Sequence, residues 1–190
     1  CQINDIYMGE DYYGENGLHI AIVAENPQLV FYLLMQGADV HQRCTGKFFT
    51  CDDQKQFRVD HLENEHPSLP VKTNYKGYAY FGEYPLSFAA ILNQEECVRL
   101  LIAKGSDPNR QDSNGNTVLH MLVINDNIEM FKLLLTFKAR LEIKNNQGLT
   151  PLTLAAKLAH KKMFQFILIQ QRKLLWKYAD ITCGAYPLNT

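Results

Sequence analysis

Four side chains of the kind that ligate transition metals fall within one stretch: Cys44, Cys51, His61 and His66, separated by six, nine and four residues. Structural zinc sites draw on cysteines only roughly two to four residues apart, so this spacing is read as loop packing and solvation, and no metal is expected. The five cysteines, Cys1, Cys44, Cys51, Cys97 and Cys183, are odd in number and irregularly spaced. They are expected to be free thiols of a reducing compartment. Nucleophilic catalysis would need an element such as Gly-x-Ser-x-Gly, which the chain lacks. Gly46-Lys47 and Gly105-Ser106 lack the partners of a phosphate cradle. No catalytic residue and no cofactor is expected, and the chain is read as a non-enzyme. A basic set, Lys157, Lys161, Lys162, Arg172, Lys173 and Lys177, has helical spacing at 157/161 and 173/177. Solvated faces and calmodulin-binding segments share that spacing; the solvated face is the expected reading.

The balance of 19 basic against 20 acidic residues, a net charge of −1, selects neither nucleic acid nor an anionic membrane as partner. Apolar runs such as residues 164–169 are too short to span a bilayer, and residues 1–11 lack the basic start and apolar core of a signal peptide. The segment is read as cytosolic.

The remaining two histidines with a pattern, His19 and His120, each close a tetrapeptide. Glycines recur at Gly82, Gly115 and Gly148, a period of 115 − 82 = 148 − 115 = 33. They precede Tyr84-Pro85-Leu86-Ser87, Thr117-Val118-Leu119-His120 and Thr150-Pro151-Leu152-Thr153, while Asn16-Gly17-Leu18-His19 follows Gly14. Thr or Asn before a helix accepts hydrogen bonds from its unpaired N–H groups, and proline at the first position forfeits only a donor that had no partner. This is the T-P-L-H signature of the ankyrin repeat. A second helix repeats in register: Val30, Val98, Phe131 and Phe164 are followed by Leu33-Leu34, Leu101-Ile102, Leu134-Leu135 and Ile167-Leu168.

The expected fold is therefore an all-α ankyrin-repeat solenoid of four helix pairs, at residues 14–40, 82–109, 115–141 and 148–172. Residues 1–13 are read as the end of a preceding repeat, with further repeats upstream. Pro27 should start the second helix of the first unit, and Gly37 should close it. Residues 38–81 are read as one enlarged finger loop, ordered because it carries Phe48, Phe49, Phe57, Tyr75, Tyr78, Tyr80 and Phe81. Ala89-Ala90 and Ala155-Ala156 mark close helix approaches. Residues 171–175 should prolong the last helix, and residues 173–190 begin a linker with a strand-like end at Ile181-Thr182-Cys183 and Ala185-Tyr186.

Three features go beyond the repeat: Gly-Asn-Thr-Val-Leu-His at residues 115–120, Tyr-Phe-Gly-Glu-Tyr-Pro-Leu-Ser-Phe-Ala-Ala at residues 80–90 after a long finger, and Gly-Leu-Thr-Pro-Leu at residues 148–152 before the array ends. In this combination the chain resembles the cytosolic ankyrin domain of vanilloid-type transient receptor potential (TRPV) cation channels, over nearly its whole length. Its tail, residues 181–188, looks closest to the invertebrate sensory members. The resemblance implies an assembly and regulatory module of a tetrameric, calcium-permeable sensory channel of the plasma membrane, with the membrane met only through parts outside this chain. It also implies that finger and linker pack on a neighbouring subunit, in a homo- or hetero-tetramer, through Phe48, Phe49, Tyr75, Tyr78, Tyr80, Phe81, Ile181 and Tyr186. Several family members bind ATP or calmodulin. Tyr12 matches the aromatic of the ATP site, but Glu15 stands where that site has Gln and Val23 where it has Glu, which weighs against ATP.

The rival reading is a soluble ankyrin adapter that binds a protein partner. The sequence beyond residue 190 separates the two, since a channel must carry six membrane-spanning stretches there.

Overall fold

The computed structural model describes residues 2–9, 14–58, 67–77 and 80–187. Eight α-helices come in pairs: α1 (Gly17–Val23) with α2 (Pro27–Met35), α3 (Pro85–Ile91) with α4 (Glu95–Ala103), α5 (Val118–Ile124) with α6 (Ile128–Thr136), and α7 (Pro151–Lys157) with α8 (Lys161–Gln171). Their starts follow from the local chemistry. Asn16 accepts from the N–H groups of Leu18 and His19, Thr150 accepts from that of Thr153, and Pro27, Pro85 and Pro151 open their helices. As expected, Gly37 follows the end of α2 in the left-handed region, at φ 94°.

Between the helices of each pair one residue also enters the left-handed region: Glu25, Asn93, Asp126 and Ala159, at φ 52°, 59°, 50° and 59°. None is glycine, so the turn was not legible from composition.

Stacking is regular. α1 packs on α3, α3 on α5, α5 on α7, and α2 on α4. The core runs along the stack through Leu18, Ile22, Phe88, Leu101, Leu119, Leu122, Phe131, Leu134, Leu154 and Ile167, all essentially inaccessible to solvent. Ala89, Ala90 and Ala155 are buried where rows approach, but Ala156 faces outward and lines an open depression with Ala159, Lys161 and Phe164. The interval of 33 residues advances the helix by whole repeats, yet at the last unit no further row covers position 156 within the described residues.

The expectation that residues 171–175 prolong α8 is corrected. The helix stops at Gln171, Arg172 turns to extended backbone at ψ 122°, and β1 (Lys173–Tyr178) pairs antiparallel with β2 (Ile181–Ala185). The cross-strand partners Tyr178 and Ile181 put an aromatic and a β-branched side chain together, a gain a helix would forgo. Consequently Lys173 and Lys177 lie on a strand, and Lys157 and Lys161 on different helices, so neither pair shares a helix face. No helix among the described residues is long and apolar enough to cross a membrane.

Candidate functional site

The finger is the departure from the plain array, and its anchorage is ionic. Glu83 follows Gly82 at the foot of α3 and is almost wholly buried. Arg43 Nη1 reaches Glu83 Oε2 at 2.9 Å and Arg58 Nη1 reaches Oε1 at 2.8 Å, so two guanidinium groups of the finger, fifteen residues apart, close on one carboxylate. The Ser113 N–H adds a third donor at 3.1 Å. Burial would raise the Glu83 carboxyl, but Arg58 and Arg43 prevail and hold it below its ordinary value. The backbone repeats the clamp: Cys44 N–H donates to the Glu83 carbonyl at 2.8 Å, and Thr45 N–H to that of Gly14 at 2.8 Å. Gly14 takes φ +88°, and a Cβ there would fall on the Thr45 carbonyl, which is why the position demands glycine.

Beyond the clamp the finger lies down on its own array. Tyr80 donates to Asp112 Oδ2 at 2.9 Å and accepts from Asn116 Nδ2 at 2.7 Å. Gln54 and Asn114 exchange two amide hydrogen bonds, at 2.7 and 3.0 Å. The Tyr75 hydroxyl accepts from Asn145 and Gln147, each at 3.0 Å, while its ring stacks on Tyr80 with centroids 5.9 Å apart. Phe49 meets Phe88 at 5.2 Å and Phe81 at 6.3 Å. Burial, with the charge of Glu83, pushes the Asp112 carboxyl up to about 7 against the donors that surround it.

These contacts divide the expected subunit-contact set. Phe49, Tyr75 and Tyr80, at 6% exposure each, and the half-buried Phe81 are occupied within their own chain, the tyrosines by the turns at residues 112–116 and 145–147 and the phenylalanines by Phe88 of α3. The finger is thus seated on the units that follow it in its own chain. Facing outward are Phe48 at 54% exposure, Ile181 at 64% and Tyr186 at 44%, joined by Phe57, Val71 and, on the hairpin, Leu174, Leu175, Trp176 and Tyr178. Trp176, Tyr178, Ile181 and Cys183 share one hairpin face by register; Lys177 and Thr182 share the other. Tyr78 and Tyr12 lie outside the described residues.

The signature residues take their expected places. Leu18, Leu86, Leu119 and Leu152 are buried, and Pro85 and Pro151 open helices. His19 bonds the Asn16 side chain at 2.8 Å and the Glu83 carbonyl at 3.1 Å; His120 bonds Thr117 Oγ1 at 2.9 Å and the Leu149 carbonyl at 3.0 Å. Glu83 and Leu149 both follow a repeat glycine, so each imidazole spans from one unit to the next. Burial lowers both, to about 4, and they stay neutral.

The thiols of Cys44 and Cys51 are buried; burial raises the first well above its ordinary value and the second to about 12, so they stay protonated and are poor ligands. His61 and His66 lie outside the described residues, among which no group of three or more His, Cys, Asp or Glu side chains could hold a metal.

Sequence reading missed Glu83, its two arginines and the Gln54–Asn114 pair. One signal was present: a glutamate after Gly82, where the corresponding positions after Gly115 and Gly148 hold Asn116 and Leu149.

Comparison with known proteins agrees with this architecture. The model of ankyrin repeats in three copies matches residues 72–181, and that of a single ankyrin repeat matches residues 13–45, with the middle of the finger, residues 46–71, between them. The chain is 37% identical to transient receptor potential cation channel subfamily V member 5 of Mus musculus, over 98% of this chain and 24% of that protein. It is 37% identical to subfamily V member 4 of Homo sapiens, over 99% of this chain and 23% of that protein, and 38% identical to subfamily V member 6 of Rattus norvegicus, over 85% and 19%. The chain thus spans about a quarter of the length of the curated relatives it matches. Helix pairs at an interval of 33 residues, histidines bridging successive units and the two matched models lead to one conclusion: the chain belongs to the ankyrin-repeat family.

Proposed function

We propose that this chain is the cytosolic ankyrin-repeat module of a vanilloid-type transient receptor potential channel subunit, in a calcium-permeable tetramer of the plasma membrane. The observation that carries the reading is similarity to subfamily V members over 98–99% of the chain, finger and hairpin included. Within that module, the surface that meets an adjoining subunit is the outward part of the finger, led by Phe48, together with the apolar hairpin face of Trp176, Tyr178 and Ile181. Large exposed apolar side chains gathered on one element mark an interaction surface, and aromatic anchors dominate its energetics. A kinship of the tail with invertebrate sensory members rests on residues 181–188 alone. Calmodulin is not favoured, because the basic residues are divided among α7, α8 and β1 rather than gathered on one amphipathic helix. ATP is disfavoured as well: Glu15 is buried, and Val23 stands where an acid would be needed.

The test is made in the full-length protein that contains this chain. Phe48→Ser combined with Trp176→Ser should reduce recovery of the tetramer, or calcium entry, several-fold, while the 190-residue segment with both changes keeps its helical circular-dichroism signal. Parent-like assembly and calcium entry of the double variant would sink the surface; a full-length protein without six membrane-spanning stretches would sink the channel.

A further inference from the structure

Glu15 and Glu83 hold the same repeat position, each following the turn glycine, at 83 − 15 = 82 − 14 = 68 residues apart. Glu83 is neutralised by Arg43 and Arg58. Glu15 is as deeply buried, at 1% exposure, yet neither of its carboxylate oxygens has a hydrogen-bond partner. The finger's first limb is held between these two turns, by Cys44 on Glu83 and Thr45 on Gly14. Burial raises the Cys44 thiol most, both carboxylates raise it further and both arginines lower it, so all four side chains lie within electrostatic reach of Cys44.

Among the described residues, the Cys44 thiol of the finger is the titratable group on which the charge of Glu15 acts, alongside Glu83, Arg58 and Arg43, while burial is what acts on Glu15 itself. Tyr7 of the lead-in segment donates its N–H to the Glu15 carbonyl at 2.7 Å. Both guanidinium groups bond Glu83, one at each oxygen, with Arg43 also reaching the Ser113 hydroxyl and Arg58 that of Thr50. A carboxylate without donors in a dry site is too costly to keep ionised; a proton removes the charge.

We propose that Glu15 is a proton-linked latch at the base of the finger: its carboxyl carries a proton while the finger is seated, and ionisation loosens the pairing of Thr45 with Gly14. Where Glu83 uses two arginines, the equivalent position in the unit before uses a proton. Burial pushes the carboxyl from its ordinary value of 4.5 up to about 7. A folded state that holds its proton to higher pH contributes stability that is full below 4.5 and is lost as pH rises through about 7. The latch concerns the seating of the finger on its own array, whether or not the finger meets a neighbour.

The experiment compares the 190-residue chain with its Glu15→Gln variant, whose side chain has the shape of the protonated acid. Hydrogen-exchange protection of the Cys44 and Thr45 amides, corrected for intrinsic rates, is measured at about pH 5.5 and about pH 8.5. The parent should lose about tenfold or more relative to the variant, as a carboxyl displaced by more than one pH unit requires. The carboxyl carbon of Glu15, followed by nuclear magnetic resonance in the parent, should titrate near 7. A titration near 4.5, or the same loss of protection in Glu15→Gln as in the parent, overturns the latch. If the variant does not fold, the parent titration decides alone.

Discussion

A buried leucine and a buried histidine carry different parts of the same turn. Leu119 of α5 is fully buried, and Leu119→Ala should lower stability by about 2–5 kcal/mol through the cavity it leaves, read from the urea midpoint. An unchanged midpoint would mean that α5 is not placed as described. His19 and His120 act through charge instead. Held neutral down to about 4, each must be protonated in the unfolded chain first, so the stability they contribute is full above 6.5 and lost as pH falls toward 4. The urea midpoint should therefore fall over that interval, and neither imidazole should titrate above pH 5 by nuclear magnetic resonance. An imidazole that titrates at 6.5 would show that its burial between successive units is not kept in solution.

At the scale of elements, the finger and the hairpin should respond oppositely to damage. Removing the shared carboxylate in Glu83→Gln leaves Arg43 and Arg58 buried with a neutral amide, at an expected cost of about 3–5 kcal/mol. Glu95→Gln, which breaks the exposed pair with Arg99 on α4, should cost less than about 0.5 kcal/mol. Equal effects by urea titration would deny the clamp its burial. The hairpin makes its main contacts within itself, so deleting residues 173–190 should shift the stability of the array by less than about 1 kcal/mol, since a lone two-stranded hairpin is marginal in water. The helices were legible in the sequence because capping and periodicity act within one turn, as at Asn16, Pro27 and Thr150. The clamp was not, because its donors lie 40, 25 and 30 residues from Glu83 and only the folded stack brings them together. The end of α8 was misread for another reason: Leu174-Leu175-Trp176 satisfies a helical apolar pattern as well as a strand, and only pairing with residues 181–185 decides. The finger's aromatics were legible as ordered, but not their direction, which depends on tips that arrive two units later.

In the whole molecule the finger matters because of where it ends. A plain repeat array couples each unit only to its neighbours, so its ends can open while its middle holds. Here a loop that leaves after the first unit bonds Asn114 and Asn116 at the start of the third and Asn145 and Gln147 just ahead of the fourth. Unfolding should accordingly be a single transition, with far-ultraviolet circular dichroism and Trp176 fluorescence of a hairpin-tethered chain reported separately: the helical signal should show one midpoint, not a stepwise loss from either end. The same bracing fixes the curvature of the solenoid. Bending the stack would shear the Tyr75 and Tyr80 hydroxyls off turns on two different units at once, so the array resists flexure like a strut with a diagonal member, and force applied at its hairpin end is transmitted to the first unit rather than absorbed between repeats.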